Sequence, residues 1–323
     1  GWRDATAYDR QSAGLRWDRV AGSGALVKTV INYSNIDQET AGSSAISSQD
    51  YQTRPTINYT PISFRAVQAV RVSTAYERED GPSLVSLTPY ARYDNMDLLP
   101  NWSLSYDPTV YNTRNSSLGL LAKYRRGFAP MRTRLIAGVD LERSPGSRYE
   151  QRIAPVKTGA IYSSYTIGQT LYDYAVTYQG VAPYLQGEIS PLEALRITAG
   201  VRYDTIRYDY TTRLAPLDSG SWKRPADMRI DYRHTSPKLG ATYAINPRHN
   251  VFVNYSHGFR APSESQLFRQ GSALDTVGLQ PVRANNYEMG LRAQPTQRLN
   301  YQISLYYLSK QDDILSYRDP LTG

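Results

Sequence analysis

The sequence predicts an all-β fold, an antiparallel transmembrane β-barrel, and three observations support this prediction. Several segments alternate apolar and polar residues over roughly ten positions, the length of a tilted strand that crosses a bilayer. Short turn-forming connections alternate with long loops along the chain. No apolar run approaches the roughly 18 residues that a membrane-spanning helix needs.

The clearest predicted strand covers residues 194–204. A strand places successive side chains on opposite faces, so this segment has one apolar face and one mostly polar face. The apolar face would meet lipid and the polar face the lumen. The apolar set is Leu195, Ile197, Ala199, Val201 and Tyr203, and the opposite set is Arg196, Thr198, Gly200, Arg202 and Asp204.

Other segments repeat this pattern. Leu135, Ala137, Val139 and Leu141 alternate with Gly138, Asp140 and Glu142. Tyr287, Met289, Leu291 and Ala293 alternate with Glu288, Gly290 and Arg292. Leu299, Tyr301, Ile303, Leu305 and Tyr307 alternate with Asn300, Gln302 and Ser304.

Connections rich in Gly, Pro, Asn or Ser separate the predicted strands. Loops as long as the longer connections are uncommon in compact soluble domains. In outer-membrane barrels the short turns face the periplasm and the long loops face outside. Counting strands between the connections predicts about twelve. Short turns are expected at 21–24, 80–82, 127–130, 190–193, 246–248 and 295–297, and long loops near 37–61, 95–113, 145–175, 210–232 and 260–283.

Composition fits a barrel wall and excludes several kinds of chemistry. The mean hydropathy of -0.54 is low because only every second strand residue would meet lipid. The chain has 28 Tyr against 5 Phe, and rings with a polar tip suit membrane interfaces and wet surfaces. There is no Cys, which excludes thiolate sites. The net charge of +8 is spread along the chain, so we expect no nucleic-acid partner.

The two ends of the chain predict a piece of a longer protein. The first residue is Gly1, and no initiator Met or secretory signal precedes the first strand. Residues 319–323 read as the start of another loop rather than as a closing strand. A wall with unclosed edges in lipid would leave backbone groups unpaired, so we expect truncation at both ends.

Six short segments carry a family resemblance. Their order and spacing resemble the barrel of TonB-dependent outer-membrane receptors of the ferric-siderophore type, over residues 180–315. One departure is Leu279-Gln280-Pro281-Val282, where many members read Leu-Lys-Pro-Glu. The segments are PYLQGE at 183–188, AGVRYD at 199–204, SPKLG at 236–240, YSHGFRAPS at 255–263, YEMGLR at 287–292 and DDI at 312–314.

The resemblance implies a 22-stranded wall filled by an N-terminal plug, of which residues 1–323 would be a partial barrel without the plug. It implies active uptake of a ferric siderophore across the outer membrane of a Gram-negative bacterium. The implied partners are the siderophore, the TonB protein acting through the missing plug segment, and outer-membrane lipids. No cofactor is implied. Alternatives are a passive porin or surface-anchoring barrel, a receptor for cobalamin, haem or oligosaccharide, and a soluble all-β carbohydrate-binding protein.

Aromatic and cationic residues of the predicted loops are the candidate ligand contacts, because stacking and cationic groups suit an anionic iron chelate. The tyrosines equally fit anchoring at the lipid boundary. Phe259 and Arg260 also fit a structural role, in which Gly258 permits close packing, Pro262 stops the strand and Arg260 pairs with carboxylates. The candidates are Tyr162, Tyr165, Tyr172, Tyr174, Trp222, Arg224, Phe259 and Arg260.

Inward cations and histidines complete the predictions. Arg196, Arg202 and Arg292 would guide anions or, with more weight, form ion pairs with Asp204, Glu188 and Glu288. His234, His249 and His257 are far apart in the chain and lack the spacing of a metal site, so none is expected. No nucleophile elbow or phosphate loop occurs, so no enzyme is expected either.

Overall fold

The computed structural model describes residues 2–22, 24–40, 46–273 and 275–314. Within these described ranges, twelve antiparallel strands form one sheet, and each strand pairs with the next in chain order. This confirms the all-β fold class and the predicted strand number. Within the described ranges, no helix is both long and apolar enough to cross a membrane.

The strands differ greatly in length, and those in the middle of the chain are the longest. They are β1 (Tyr8–Val20), β2 (Leu26–Glu39), β3 (Phe64–Asp80), β4 (Ser83–Leu99), β5 (Thr109–Phe128), β6 (Thr133–Thr158), β7 (Ile161–Leu192), β8 (Leu195–Thr212), β9 (Met228–Asn246), β10 (His249–Arg260), β11 (Val282–Thr296) and β12 (Leu299–Gln311). Two short helices, α1 (Ser48–Thr53) and α2 (Glu264–Phe268), lie in long connections, and a 3₁₀ turn covers Pro130–Arg132.

The predicted connections fall between strands, with three corrections. Residues 95–113 are partly strand, since β4 ends at Leu99 and β5 begins at Thr109. Residues 145–175 are not a long loop: β6 and β7 continue as a hairpin whose turn uses Gly159 at a φ of 63°. Residues 210–232 are partly strand, since β8 ends at Thr212 and β9 begins at Met228. Residues 41–45 of the predicted 37–61 loop, and the loop start predicted at 319–323, lie outside the described residues.

The sheet has an inward face, defined here as the one that the loop 261–281 covers, and an outward face. Near the short turns the outward face is apolar: Val201 is 43% exposed and Ile303 is 62% exposed. Leu195, Ile197 and Leu291 are also absent from the buried core. This apolar outward band ends near Leu141, Val181 and Tyr203. The predicted lipid face is therefore exposed and not packed inside a compact body.

Beyond this band, in strands β7 to β9, the apolar and polar residues exchange faces. Inward positions become aromatic or apolar, as in Tyr174, Tyr208 and Tyr232, and outward positions become polar, as in Asp209 and Asp231. A strand surrounded by water turns its apolar side chains to the interior, as in a soluble sandwich. We call this part the outer extension: residues 143–158, 161–180, 204–212, 228–234 and the loop 261–281.

Inside the band, three inward glycines lie directly opposite aromatic residues on the neighbouring strand. The pairs are Gly119 with Tyr90, Gly138 with Tyr184, and Gly290 with Phe252. Each ring lies over its glycine, since a Cβ placed there would stand 2.2 to 2.6 Å from ring atoms. The missing side chains therefore make room for rings that cover the inward face of the wall.

Candidate functional site

The candidate site is the inward side of the outer extension, which contains an aromatic core. Leu171, Val176 and Leu267 are buried there among rings. Tyr210 and Phe268 stack with ring centroids 4.4 Å apart, and Tyr208 meets Phe268 edge-on at 6.4 Å. Such contacts add stability beyond the area that the rings bury. The aromatic core consists of Leu171, Tyr172, Tyr174, Val176, Tyr208, Tyr210, Tyr232, Leu267 and Phe268.

Two residues of this core, Leu267 and Phe268, come from α2 in the loop 261–281. Ser263 caps α2 through a reciprocal capping box with Gln266, which fixes the start of the helix. Both core residues are fully buried. A loop that contributes two fully buried side chains is docked on the sheet by hydrophobic burial.

Tyrosine hydroxyls also hold the loop backbone. The Tyr208 hydroxyl donates to the carbonyl of Pro262 at 3.1 Å, and the Tyr232 hydroxyl donates to the carbonyl of Leu279 at 2.9 Å. The amide of Gly271 donates to the Tyr172 hydroxyl at 3.0 Å. Burial raises the pKa of Tyr208 and Tyr232, so both hydroxyls keep their protons as donors.

A buried charged cluster joins the loop to β6. Arg269 lies 2.7 Å from Glu150, whose side chain is fully buried, and 2.6 Å from Asp107. Arg148 contacts the same Glu150 at 2.7 Å. Burial alone would raise the pKa of Glu150, but the hydrogen bonds and charges of Arg269 and Arg148 outweigh it and lower the pKa. Glu150 is therefore a buried anion held between two guanidinium groups.

A partly buried carboxyl group, that of Glu264, lies at the start of α2. The Tyr174 hydroxyl donates a short hydrogen bond to Glu264. Burial raises the pKa of Glu264, and it raises the pKa of Tyr174 well above the usual value. Unlike Glu150, Glu264 has no ion pair among the described residues. Its charge is therefore poorly compensated when the loop is docked.

Next to these groups lies an open cavity of about 800 Å³. Val67 on β3 and Tyr208 on β8 both line it, although five strand spacings, about 24 Å along the sheet, separate these strands. The sheet therefore curves around the cavity. Polar lining groups include Arg92, Asp94 and Glu142, and Ser263 and Glu264 of the loop reach its edge. This lining offers hydrogen bonds and aromatic faces to a bound molecule.

The predicted candidate residues separate into two groups. Tyr172 and Tyr174 are fully buried strand residues, not loop residues, and their rings pack in the aromatic core. The sequence pattern of lipid-facing strands does not identify this strand segment, because here the apolar side chains face inward and the polar side chains face outward. Burial favours a structural role for both, and contact of the candidate residues with a ligand stays a prediction.

The remaining six candidates are not among the residues that line the cavity. Tyr162 and Tyr165 pack beside a second small core of Leu99, Leu104 and Ile153. The Arg152 guanidinium lies 4.8 Å from the Trp222 ring, and Arg224 donates to the backbone carbonyls of Ala215 and Leu171. Phe259 stacks on His234 at 4.4 Å.

The structural interpretation of the 258–262 segment holds in part. Arg260 is exposed and has no carboxylate within 4.0 Å among the described residues, so the predicted pairing is wrong. Pro262 follows the end of β10, as predicted. Gly258 is not needed for close packing, since a Cβ there would meet nothing within 4 Å.

Two of the three predicted inward ion-pair networks form. Arg202 lies 2.9 Å from Asp204 and also contacts Asp140, and Arg196 lies 3.7 Å from Glu188. Arg292 instead donates to Gln302 at 2.9 Å and lies over the Phe252 ring. The predicted partner Glu288 lies on the same strand, but the aromatic ring opposite Gly290 attracts the guanidinium instead.

Sequence reasoning did not identify Asp107, Glu150, Glu264 and Arg269, the charged residues that join the loop to the sheet. The sequence does contain an indication for Glu150. Its side chain lies on the inward face of β6, as that of Arg148 does, and the residues paired with it on both neighbouring strands are tyrosines. No local pattern marks Asp107 or Arg269, because their partners lie more than 100 residues away.

The histidines show how far strand pairing departs from sequence spacing. His234 and His257 are in contact, with their Nε2 atoms 2.8 Å apart. They meet although 23 residues separate them in the chain, because β9 and β10 are neighbours in the sheet. No group of three or more His, Cys, Asp or Glu residues converges on a metal position within the part of the chain that the structure describes.

Comparison with known proteins identifies the family. The family model for the TonB dependent receptor-like β-barrel matches residues 1–323. This chain belongs to the TonB-dependent receptor β-barrel family. The resemblance inferred from the sequence is thereby confirmed.

Individual relatives are more distant. The metal-pseudopaline receptor CntO of Pseudomonas aeruginosa is 26% identical over 129 residues, which cover 40% of this chain and 17% of that protein. The unliganded ferric citrate transporter FecA superposes with a TM-score of 0.75 and 16% identity, over all of this chain and 46% of that one. The ferric-catecholate import receptor Fiu of E. coli K12 superposes with a TM-score of 0.68 and 15% identity, over 94% of this chain and 52% of that one. This chain spans about half the length of these solved structures.

Proposed function

We propose that this chain forms part of the wall and the outer chamber of an outer-membrane receptor that takes up a ferric siderophore with TonB-derived energy. Family membership over the whole chain supports a transport receptor. The names of FecA and Fiu refer to iron chelates, which favours the same class of cargo here.

The observation that carries the proposal is the chamber itself. A cavity of about 800 Å³ opens beside an aromatic core, above a wall with an apolar outward band. Ligand sites of small molecules have this order of volume and combine apolar walls with a few polar groups.

In this proposal the eight candidate residues have two kinds of role. Tyr172 and Tyr174 shape the chamber from within the aromatic core. The other six would contact the chelate through aromatic faces and cationic groups. They are Tyr162, Tyr165, Trp222, Arg224, Phe259 and Arg260.

The membrane orientation and partners follow from the same proposal. The apolar outward band would lie in the lipid of a Gram-negative outer membrane, with the short turns toward the periplasm. The outer extension would then face the outside, where a chelate arrives. A plug outside residues 1–323 would fill the lumen and contact the TonB protein.

An uptake experiment tests the proposal. The full receptor, as its gene encodes it, is expressed in iron-limited cells that lack their own siderophore receptors, with and without a functional TonB protein. We expect radioactive iron to enter with at least one of the citrate, catecholate and hydroxamate complexes, only when TonB is present. Uptake that is independent of TonB would indicate a passive pore, and no uptake of any ferric complex would contradict the iron proposal.

A second cargo class has its own support. CntO is named as a metal-pseudopaline receptor, which favours a metal complex of another kind of chelator as the cargo. The same cells should then accumulate nickel, zinc or cobalt supplied with an amino-carboxylate chelator. Accumulation of these metals without iron would replace the siderophore by a different metallophore.

A further inference from the structure

Two histidines meet at a split in the sheet. The pairing of β9 with β10 is continuous up to Lys238 and Ser256. The next residue on β9 is Pro237, which has no N–H to donate to the ladder. Beyond this point the two strands are no longer paired, and the side chains of His234 and His257 reach across the split.

The two imidazole rings direct the same atom type at each other. Their Nε2 atoms are 2.8 Å apart, and the ring planes differ by 22° with centroids 4.9 Å apart. Phe259 stacks on His234 with centroids 4.4 Å apart, which limits the positions open to that ring. The pair therefore has a defined geometry rather than a chance proximity of exposed side chains.

Asn285 on β11 sets the tautomer of His257. Its Oδ1 atom accepts from the Tyr255 hydroxyl at 3.1 Å and lies 2.8 Å from Nδ1 of His257. Because a carbonyl oxygen only accepts, Nδ1 of His257 must carry the proton. In the neutral ring, Nε2 then presents its lone pair toward His234. Metal-binding histidines commonly donate their second nitrogen to an oxygen acceptor in this way.

The separation of the two nitrogens fits ligands of one metal ion. With centroids 4.9 Å apart the rings face each other nearly head-on, so a rotation of both rings would bring their lone pairs to one metal position. Two imidazole nitrogens bound at about 2.0 Å, at a right angle to each other, lie about 2.8 Å apart. We propose that His234 and His257 form a binding site for a divalent transition-metal ion of the copper class. Water or an external chelator would fill the other positions, since no third His, Asp or Glu joins the pair within the described ranges.

The proposal does not depend on which chelate the receptor transports. It departs from the sequence-based expectation of no metal site, because strand order, not sequence spacing, joins the two residues. Two nitrogen ligands favour Cu²⁺ over Ni²⁺ and Zn²⁺ in the usual order of affinities. A direct hydrogen bond between two neutral rings would give a similar distance, and metal titration separates the two explanations.

The test is Cu²⁺ titration of the full receptor, refolded in detergent free of lipopolysaccharide because that lipid binds divalent cations. Electron paramagnetic resonance should show one copper per protein with nitrogen splitting from two imidazoles. His234→Gln and His257→Gln should each abolish that signal. His249→Gln is the matched control, because His249 lies at the short-turn end with its Nδ1 3.0 Å from Asn246.

Asn285 is a positioning residue, and its variants supply a further readout. Asn285→Leu should weaken copper affinity by about 10- to 100-fold, the usual effect of losing such an acceptor, while Asn285→Asp should restore it. Heat-modifiable migration on gels checks that each variant is folded. Wild-type protein that binds no copper, or binds it without nitrogen splitting, would overturn the proposal. Unchanged copper affinity in folded His234→Gln would do the same.

Discussion

The apolar band and the outer extension are formed by the same strands, but their apolar side chains lie on opposite faces of the sheet. In the band, Val201 points outward and Arg202 points inward, whereas in the outer extension Asp209 points outward and Tyr208 inward. The backbone alternation is continuous through both. The comparison teaches that polarity at a strand position reports which solvent lies on that side, lipid for the band and water for the extension.

The two regions also differ in what stabilises them. The inward ion pairs of the band, such as Arg202 with Asp140, are about one-third exposed, and pairs of this kind contribute only about 0–1 kcal/mol. Closely fitted rings over glycines cover the wall there. The outer extension instead has a buried anion and a docked loop, so single substitutions in it should have larger local effects.

The largest expected effect comes from Arg269→Ala. Glu150 would lose one of its two guanidinium partners while staying buried, and breaking a buried ion pair costs about 3–5 kcal/mol. The loop 261–281 should detach, which amide hydrogen exchange of the full receptor would detect as lost protection there. Arg283→Ala is the control, because its ion pair with Asp312 is largely exposed and should cost about 0–1 kcal/mol. Equal protection in both variants would contradict the buried-anion argument.

Gly138→Ala tests the fit of the wall. The new Cβ would stand 2.6 Å from the carbonyl oxygen of Ala122 and 2.4 Å from the Tyr184 ring. Overpacking of this kind costs about 1–3 kcal/mol, which a lower denaturant midpoint of unfolding would show. Gly258→Ala adds the same methyl group in open space and should leave the midpoint unchanged. If both variants unfold at the same midpoint, the ring-over-glycine contact does not stabilise the wall.

Tyr232→Phe removes one hydroxyl from the loop contact. The carbonyl of Leu279 loses its donor, and a hydrogen bond of this type contributes about 1 kcal/mol. Hydrogen exchange in the loop should rise about five-fold, as that free energy implies. Tyr243→Phe on the outward face of the same strand serves as the control and should not change exchange in the loop.

The smallest effect is a pH dependence of loop docking. Burial raises the pKa of Glu264, so the docked state binds the proton more tightly than the undocked state. Docking is therefore strongest below the ordinary carboxyl pKa of 4.5 and weakens as the pH rises through the raised value. The lowered pKa of Glu150 acts in the opposite sense, but only below pH 4.5.

Spin labelling measures this pH dependence. The chain has no Cys, so Ser265→Cys on the exposed side of α2 supplies a unique label site within residues 1–323. Label mobility should fall as the pH is lowered from 8 to 4.5, the ordinary carboxyl pKa. Glu264→Gln should remove that change, because Gln accepts the Tyr174 hydrogen bond without ionising. A wild-type profile that is flat over this range would exclude Glu264 as the titrating group.

Sequence reasoning recovered the strand number and most of the turns, because the outward apolar pattern and the turn residues are local signals. It missed the hairpin around Gly159, because between Tyr172 and Tyr178 the aromatic side chains face inward, as in a strand surrounded by water, and not outward as in a lipid-facing strand. For the site, it named Tyr172 and Tyr174, which lie in the aromatic core, but it assigned them to a loop. Whether the other six candidates bind a ligand stays a prediction.

The sequence by itself determined the fold class, the lipid-facing band and the family, because period-two alternation and ordered short segments are properties of neighbouring residues. Only the tertiary structure decided that Arg269 meets Glu150, that α2 enters the aromatic core, and that His234 meets His257. Strand register and loop docking join residues far apart in the chain, and no local pattern records those partners.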